Sequence, residues 1–150
     1  MNTHFIKSSD KKKILEKLNE QFGITNIPYL LIASGKEKIR AYSGHLSKDE
    51  IIDMGKLINI EVVGAYLLKE ENEEYRLSFD APIILKNQIT KSIVEINKEQ
   101  FESWIRGNDL DITAEKGVVV IKYQEDFLGS GKSNGEKIFN YVPKDRRLRK

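Results

Sequence analysis

The end of the chain combines residue types that bind nucleic-acid phosphates. Residues 132–150 hold seven lysines and arginines and two acidic residues, whereas the chain of 150 residues has a net charge of only +2. A basic segment on a mildly acidic body is typical of a polyanion-binding protein. A solvated tail would carry the same charge, so charge alone leaves both interpretations open. The seven cations are Lys132, Lys137, Lys144, Arg146, Arg147, Arg149 and Lys150.

Aromatic and amide side chains are interleaved with these cations. Asn140 and Tyr141 lie between Lys137 and the basic cluster that starts at residue 144. Tyrosine can stack on an unpaired base and asparagine can hydrogen-bond its edge, while lysine and arginine neutralise phosphates. In the alternative interpretation Phe139 and Val142 are core residues of a strand and the tail is loose, and we expect part of this to hold as well.

Residues 129–133, with the sequence GSGKS, suggest a loop that binds nucleotide phosphates. The full pattern requires a glycine five residues before Gly131, where this chain has Asp126, and the loop must open a helix. A carboxylate at that position repels phosphate, and Asn134-Gly135 follows at once. We therefore expect a glycine-rich turn between two strands rather than a nucleotide site.

Other candidates for catalysis or metal binding are few. The absence of cysteine excludes disulfides, thiolate catalysis and cysteine-based metal sites. The two histidines, His4 and His45, are far apart, and a catalytic zinc site takes about three protein ligands. Asp109 with Asp111, and the four glutamates within residues 70–74, could be proposed as a metal or acid/base site, but both sets are expected to be solvated turns. We predict no catalytic residue, metal site or cofactor.

Composition limits the class of protein. Hydrophobic residues make up 39% and charged residues 32% of the chain, which is enough apolar material for a core under a charged surface. No apolar run approaches the ~20 residues that span a bilayer, and the N-terminus does not have the apolar stretch of a signal peptide. We expect a soluble, cytoplasmic protein that does not contact a membrane.

The N-terminal half has the pattern of a small α/β unit. Apolar residues at helical spacing predict a helix over residues 11–22, with Ser9 or Asp10 as its N-cap and Gly23 as its stop. Ser47 and Glu50 form a capping box for a second helix that carries Ile51, Ile52, Leu57 and Ile58. Strands are predicted at residues 29–33, 38–42, 62–68 and 75–79, with a charged turn at residues 69–74.

The pattern changes near Pro82, because proline does not continue a central strand, and we place a domain boundary between residues 80 and 81. Asn97 and Gln100 are spaced to cap a helix that carries Phe101 and Trp104 as core residues and ends at Gly107. Strands are expected at residues 93–96, 110–113, 118–123, 127–128 and 136–142, with a turn at Lys116-Gly117. Closely spaced strands with one short helix indicate a compact barrel of mixed topology.

Several of these segments resemble a known family. Residues 104–110 (WIRGNDL), 117–121 (GVVVI) and 127–131 (FLGSG) resemble a PUA-type domain, the RNA-binding fold named after pseudouridine synthases and archaeosine transglycosylases. Residues 126–148, which end in NYVPKDRRL, more narrowly resemble the C-terminal domain of Nop/Sun-type ribosomal RNA 5-cytosine methyltransferases. The N-terminal half is similar to the pre-PUA unit of small ribosome-biogenesis factors.

The resemblance implies an α+β protein in which a pre-PUA-like α/β domain (residues 1–80) is packed on a PUA-like β pseudobarrel with one short helix (residues 81–150). It also implies that RNA binds at the turn between this helix and Gly107 and at the neighbouring strands. The contacts expected from the resemblance and the basic pattern together are Arg106, Gly107, Lys132, Lys137, Asn140, Tyr141, Lys144, Arg146, Arg147, Arg149 and Lys150.

The expected function is RNA binding in ribosomal RNA modification or ribosome biogenesis, without catalytic activity. The methyltransferases of the resembled family need a Rossmann-like cofactor domain and catalytic cysteines, and this chain has no cysteine and no room for such a domain. One alternative is an adaptor for a separate RNA methyltransferase or ribosomal protein. A nucleotide-binding enzyme at residues 129–133 is a third.

Overall fold

The computed structural model of the chain describes residues 3–35, 37–42 and 65–148. Within these ranges few helices accompany two β-sheets, which confirms the α+β class and is consistent with a PUA-like β fold. The helices are α1 (Ser8–Phe22), α2 (Ala81–Ile84) and α3 (Lys98–Ile105). The strands are β1 (Thr3–Phe5), β2 (Leu30–Ser34), β3 (Lys38–Tyr42), β4 (Ala65–Glu71), β5 (Glu74–Leu77), β6 (Ile93–Glu95), β7 (Gly117–Tyr123), β8 (Asp126–Ser133) and β9 (Ile138–Asn140).

Helix α1 starts earlier than the sequence predicts. Its N-cap is Lys7, which makes no side-chain capping bond, so the prediction that Ser9 or Asp10 caps the helix is wrong. Both residues already lie in the first turn, because the Lys11 amide bonds to the Lys7 carbonyl at 2.9 Å. The predicted stop is confirmed: Gly23 has a φ of 84° and its amide donates to Asn19, a conformation that glycine adopts without strain.

Strands β1 to β5 form an antiparallel sheet in chain order. The strands predicted at residues 29–33 and 38–42 correspond to the antiparallel pair β2–β3, and those predicted on either side of residues 69–74 correspond to the pair β4–β5. The predicted turn at residues 69–74 shortens to Asn72 and Glu73, both with positive φ, as a two-residue type I′ turn requires. The helix predicted from Ser47 to Ile58, His45 and the start of the predicted strand 62–68 lie outside the described residues.

The four strands β6 to β9 form the second sheet, in which β6 pairs parallel to β7 and the other pairs are antiparallel. Side chains alternate along β7, as the pleat of a strand dictates. Val118 and Val120 belong to the same core as α1, whereas Val119 and Ile121 belong to a core around Trp104. Strand β7 therefore contributes side chains to two cores, one on each of its faces. The first core includes Val118 and Val120, so it extends beyond residue 80.

Two predictions for the C-terminal strands are wrong. Residues 129–133 form no turn, since they lie inside β8. A methyl group on Gly131 would be 2.5 Å from the Phe139 carbonyl oxygen and 2.8 Å from Trp104, so glycine allows β9 and the indole to approach. Residues 110–113 form no strand, because only Leu110 bridges to Ile138 before the chain turns towards residue 135.

Strand β8 also bears on the nucleotide-binding alternative. A phosphate-binding loop precedes a helix whose free amides face the phosphate. Here residues 130–133 pair with β7 and residues 131–133 also pair with β9, so this part of the segment is built into a sheet and opens no helix. Among the residues that the structure describes, no helix is both long and apolar enough to cross a membrane.

Candidate nucleic-acid interface

Helix α3 positions the predicted turn. The capping box is confirmed: Asn97 accepts from the Gln100 amide and Gln100 accepts from the Asn97 amide, both at 2.9 Å. The helix ends at Ile105, its C-cap is the exposed Arg106, and Gly107 follows with a φ of 96°. The Gly107 amide donates to the backbone carbonyl of Trp104 at 3.0 Å. Because the Trp104 side chain is buried, this bond anchors the turn to the core.

The C-terminal segment crosses this turn. Arg147 passes over Gly107 so closely that a methyl group on the glycine would be 2.5 Å from the arginine Cδ. Its Nε donates to the Val142 carbonyl at 2.9 Å, and the Leu148 amide donates to the Ile105 carbonyl at 2.8 Å. The structure thus brings Arg147 against Gly107, the neighbour of Arg106 in the chain, and RNA binding by these residues stays a prediction.

Replacing Gly107 with alanine is expected to lower the free energy of unfolding by more than the about 1–2 kcal/mol that left-handed backbone costs an L-residue. The added methyl group must also displace Arg147. Gly135→Ala is the matched control, because Gly135 has a φ of 104° and no atom nearer to the added methyl than 3.5 Å. Urea denaturation compares the two variants. If both variants lose the same free energy of unfolding, Arg147 moves away from the added methyl group without an energetic cost.

Asn140 ties β9 to the end of α3. Its amide nitrogen donates to the carbonyls of Trp104 and Asn108 at 2.8 and 2.9 Å. Its side-chain oxygen accepts from the Val142 amide at 2.8 Å, and its own backbone amide donates to Asp109. Both side-chain N–H donors are therefore used inside the protein, which favours a positioning role over the expected contact to a base.

Two of the expected cations have carboxylate partners. Arg146 donates two hydrogen bonds of 3.0 Å to Asp80 and lies 4.5 Å from the Phe79 ring centroid. Lys132 lies 2.8 Å from Glu74. The hydrogen bond that each cation donates to its carboxylate raises the pKa of Lys132 and of Arg146. Because the Lys132–Glu74 pair is partly exposed, it contributes only about 0–1 kcal/mol, so a phosphate can replace this carboxylate at low cost.

Tyr141 has a partner that sequence analysis missed. The guanidinium carbon of Arg76, on β5, is 3.7 Å from the centroid of the tyrosine ring. Arginine planes stack on aromatic faces, so one ring face is occupied by this contact.

The predicted core position of Val142 is confirmed, whereas Phe139 is exposed, because it lies opposite Lys132 in the β8–β9 ladder.

The remaining cations are unpaired in the described part of the chain. Arg106 and Lys144 are exposed and Lys137 is half-buried, and none of them forms an ion pair with a described residue. Arg149 and Lys150 lie outside the described residues. The sequence predicts one strip of free cations. The structure instead gives the exposed Arg106 beside Gly107, lysines at positions 137 and 144 that pair with no described residue, and two cations that are paired with Glu74 of β5 and with Asp80.

Comparisons with known proteins agree with this geometry. Residues 91–148 match the family model described as the methyltransferase RsmF PUA domain. The chain is 27% identical over 99 residues to ribosomal RNA small subunit methyltransferase F of Shewanella oneidensis, covering 64% of this chain and 21% of that protein. It is 25% identical over 142 residues to the protein of the same name from Photobacterium profundum, covering 93% of this chain and 29% of that protein.

The matched segment includes α3, the Gly107 turn and the C-terminal crossing up to residue 148. The chain thus spans less than a third of the length of either relative. Residues 91–148 carry a PUA-type domain that resembles the C-terminal region of Nop/Sun-type ribosomal RNA methyltransferases.

Proposed function

We propose that the chain binds structured RNA at the Gly107 turn and acts in ribosomal RNA modification or ribosome biogenesis, without methyl transfer of its own. The observation that carries the proposal is the turn itself: Arg147 lies across Gly107, and the exposed Arg106 is free for phosphate. The matched family model and the names of both relatives support RNA as the polyanion.

The fold holds both sides of the Gly107 turn in fixed positions. Helix α3 is held by Trp104, and the C-terminal segment is held by Asn140 and Arg147. Cations near a rigid turn lose less conformational freedom when they meet a phosphate than cations on a loose tail. Methyl transfer requires a nucleophile in the resembled family, and the chain offers no cysteine, so recognition is the function that we assign to these residues.

Binding of ribosomal RNA hairpins is expected to weaken with rising salt, because each phosphate that the protein neutralises releases counterions. The double variant Lys137→Gln with Lys144→Gln is expected to reduce the log–log salt slope by roughly one per lysine. Fluorescence anisotropy of a labelled hairpin between low and moderate salt measures both. The control is Lys12→Gln with Lys13→Gln, since both lysines are exposed on α1, outside the PUA-type domain.

A slope equal to that of the control, or an affinity that does not change with salt, would refute RNA binding at this surface. Lysines 137 and 144 are preferred to Arg146 and Arg147 for this test. Charge reversal at Arg146 or Arg147 would also break the contacts to Asp80 and Val142, so a lost affinity would not separate binding from folding.

A second candidate function is an adaptor that holds a separate RNA methyltransferase or ribosomal protein. The observation that favours it is a pair of adjacent apolar side chains on α2, Ile83 and Ile84, which are 49% and 41% exposed. Co-purification that survives nuclease treatment and is lost in Ile83→Asn with Ile84→Asn would support the adaptor. Loss of the partner on nuclease treatment would instead indicate that RNA bridges the two proteins.

A further inference from the structure

The first sheet has a face that points away from α1. In β3, β4 and β5 the residues Ile39, Leu68 and Leu77 are buried in the core with α1. Because side chains alternate along a strand, Lys38 and Arg40 of β3, Lys69 of β4 and Arg76 of β5 point to the other face, where Lys69 lies opposite both Lys38 and Arg76. A register shift between Ile39 and Arg40 lets Leu67 and Leu68 both lie in the core, and it places Tyr66 opposite Arg40 on the other face. We call this set the sheet face: Lys38, Arg40, Tyr66, Lys69 and Arg76.

The sheet face combines cations with an aromatic ring. Lys38 Nζ lies 5.2 Å and the guanidinium carbon of Arg40 lies 6.0 Å from the centroid of Tyr66. A tyrosine phenol is neutral at physiological pH, and burial raises the pKa of Tyr66 further from that range. When Lys38 and Arg40 turn from the ring to phosphates, the neutral ring offers a π surface to a base between those phosphates.

This face is continuous with the C-terminal segment. Arg76 stacks on Tyr141 at 3.7 Å, and Tyr141 follows directly on β9. Lys132, which pairs with Glu74 of β5 at 2.8 Å, extends the row of cations along the same edge. A polyanion bound along β9 can therefore pass from the PUA-type domain onto the N-terminal sheet.

The carboxylates on the sheet face hold its cations weakly. Lys69 is 3.8 Å from both Glu37 and Glu71, and Arg76 is 3.6 Å from Glu71. These distances exceed those of charge-assisted hydrogen bonds, which are about 2.7–2.9 Å. Exposed pairs of this kind contribute little to stability, so RNA phosphates can take the place of the carboxylates.

We propose that the sheet face binds a single-stranded segment of the RNA whose folded part lies at the Gly107 turn. This extends the function proposed above and rests on it for the identity of the polyanion. Unpaired bases stack on aromatic rings and on arginine planes, whereas the bases of a duplex are already stacked on one another. The face offers such planes at Tyr66 and Arg76, so a single strand fits it better than a helix.

The test uses the full chain and a labelled ten-nucleotide oligouridine RNA. Lys38→Gln with Lys69→Gln is expected to lower its affinity roughly tenfold at 50 mM salt and to reduce the log–log salt slope by about 1.4, or about 0.7 for each phosphate contact on a single strand. Lys12→Gln with Lys13→Gln is the matched control, because helix α1 lies on the opposite side of the sheet. Tyr66→Leu is expected to lower the affinity about fivefold through lost stacking, with an unchanged salt slope.

The outcomes separate this proposal from the previous one. Equal oligouridine affinity for Lys38→Gln with Lys69→Gln and for its control would overturn the sheet-face proposal, even where the hairpin still binds at the turn. In another outcome, oligouridine affinity falls in Lys38→Gln with Lys69→Gln while the unmodified protein does not bind the hairpin. That result would support RNA binding at the sheet face and reject RNA binding at the Gly107 turn. Displacement of oligouridine by an equimolar ten-residue polyglutamate peptide would identify a site for acidic proteins and overturn the RNA assignment.

Discussion

Trp104→Ala is expected to lower the free energy of unfolding by about 3–5 kcal/mol, the range for removing a large aromatic side chain from a core. Trp104 is 0% exposed and packs in the core that includes Ile121 and Ile138. Its indole nitrogen donates to the Leu128 carbonyl at 2.7 Å, and that acceptor is left without its partner in the variant. Urea denaturation followed by circular dichroism measures the loss.

Two further variants show how much of the loss of stability comes from the buried apolar volume and how much from the hydrogen bond of the indole. Trp104→Phe keeps most of the apolar volume and removes the indole N–H, so we expect about 1–3 kcal/mol, the cost of a buried unsatisfied polar group. Ile83→Ala is the surface control, because Ile83 is 49% exposed, and it should change the free energy by no more than about 0.5 kcal/mol. A loss for Trp104→Ala no larger than that of Ile83→Ala would contradict a central role for this core.

Elements with a local signal could be predicted from the sequence. Helix α1 follows from Ile14, Leu18 and Phe22 at a spacing of four residues, and all three are buried. The capping box of α3 follows from Asn97 and Gln100, whose reciprocal bonds involve residues three positions apart. In both cases the interacting groups are separated by one helical turn, so the spacing along the chain determines the contact.

The glycines of β8 show why local composition can mislead. Glycine and serine are typical of turns, yet Gly131 lies in a strand. This strand position requires a glycine because Trp104 and the Phe139 carbonyl approach it closely. Its neighbour Ser130 is buried and donates to the Leu77 carbonyl at 2.8 Å. The requirement for small residues comes from partners distant in sequence, so no pattern within residues 129–133 indicates it.

The partners of the candidate interface were hidden for the same reason. Arg146 and Asp80 are 66 positions apart, and Lys132 and Glu74 are 58 positions apart. Charge counting identifies the cations correctly, but it assigns no partner to them. The contacts arise because β5 and the residues after it pack on β8, and this arrangement depends on the tertiary fold.

Asn140→Ala is expected to lower the free energy of unfolding by about 2–4 kcal/mol, because three hydrogen bonds of about 0.5–1.5 kcal/mol each are lost and their partners in the chain are left unpaired. The partners are the carbonyls of Trp104 and Asn108 and the amide of Val142. Asn87→Ala, at an exposed position, is the control and should stay within about 0.5 kcal/mol.

The same variant separates positioning from charge at the proposed interface. Under conditions where Asn140→Ala remains folded, hairpin affinity is expected to fall, because β9 is no longer tied to the end of α3. The salt slope should stay at the value of the unmodified protein, since no cation is removed. Lys137→Gln with Lys144→Gln should show the reverse, with a lower slope and unchanged stability. If Asn140→Ala lowers the slope as the lysine variant does, or leaves affinity unchanged while it destabilises the fold, the rigid turn does not position the cations for RNA.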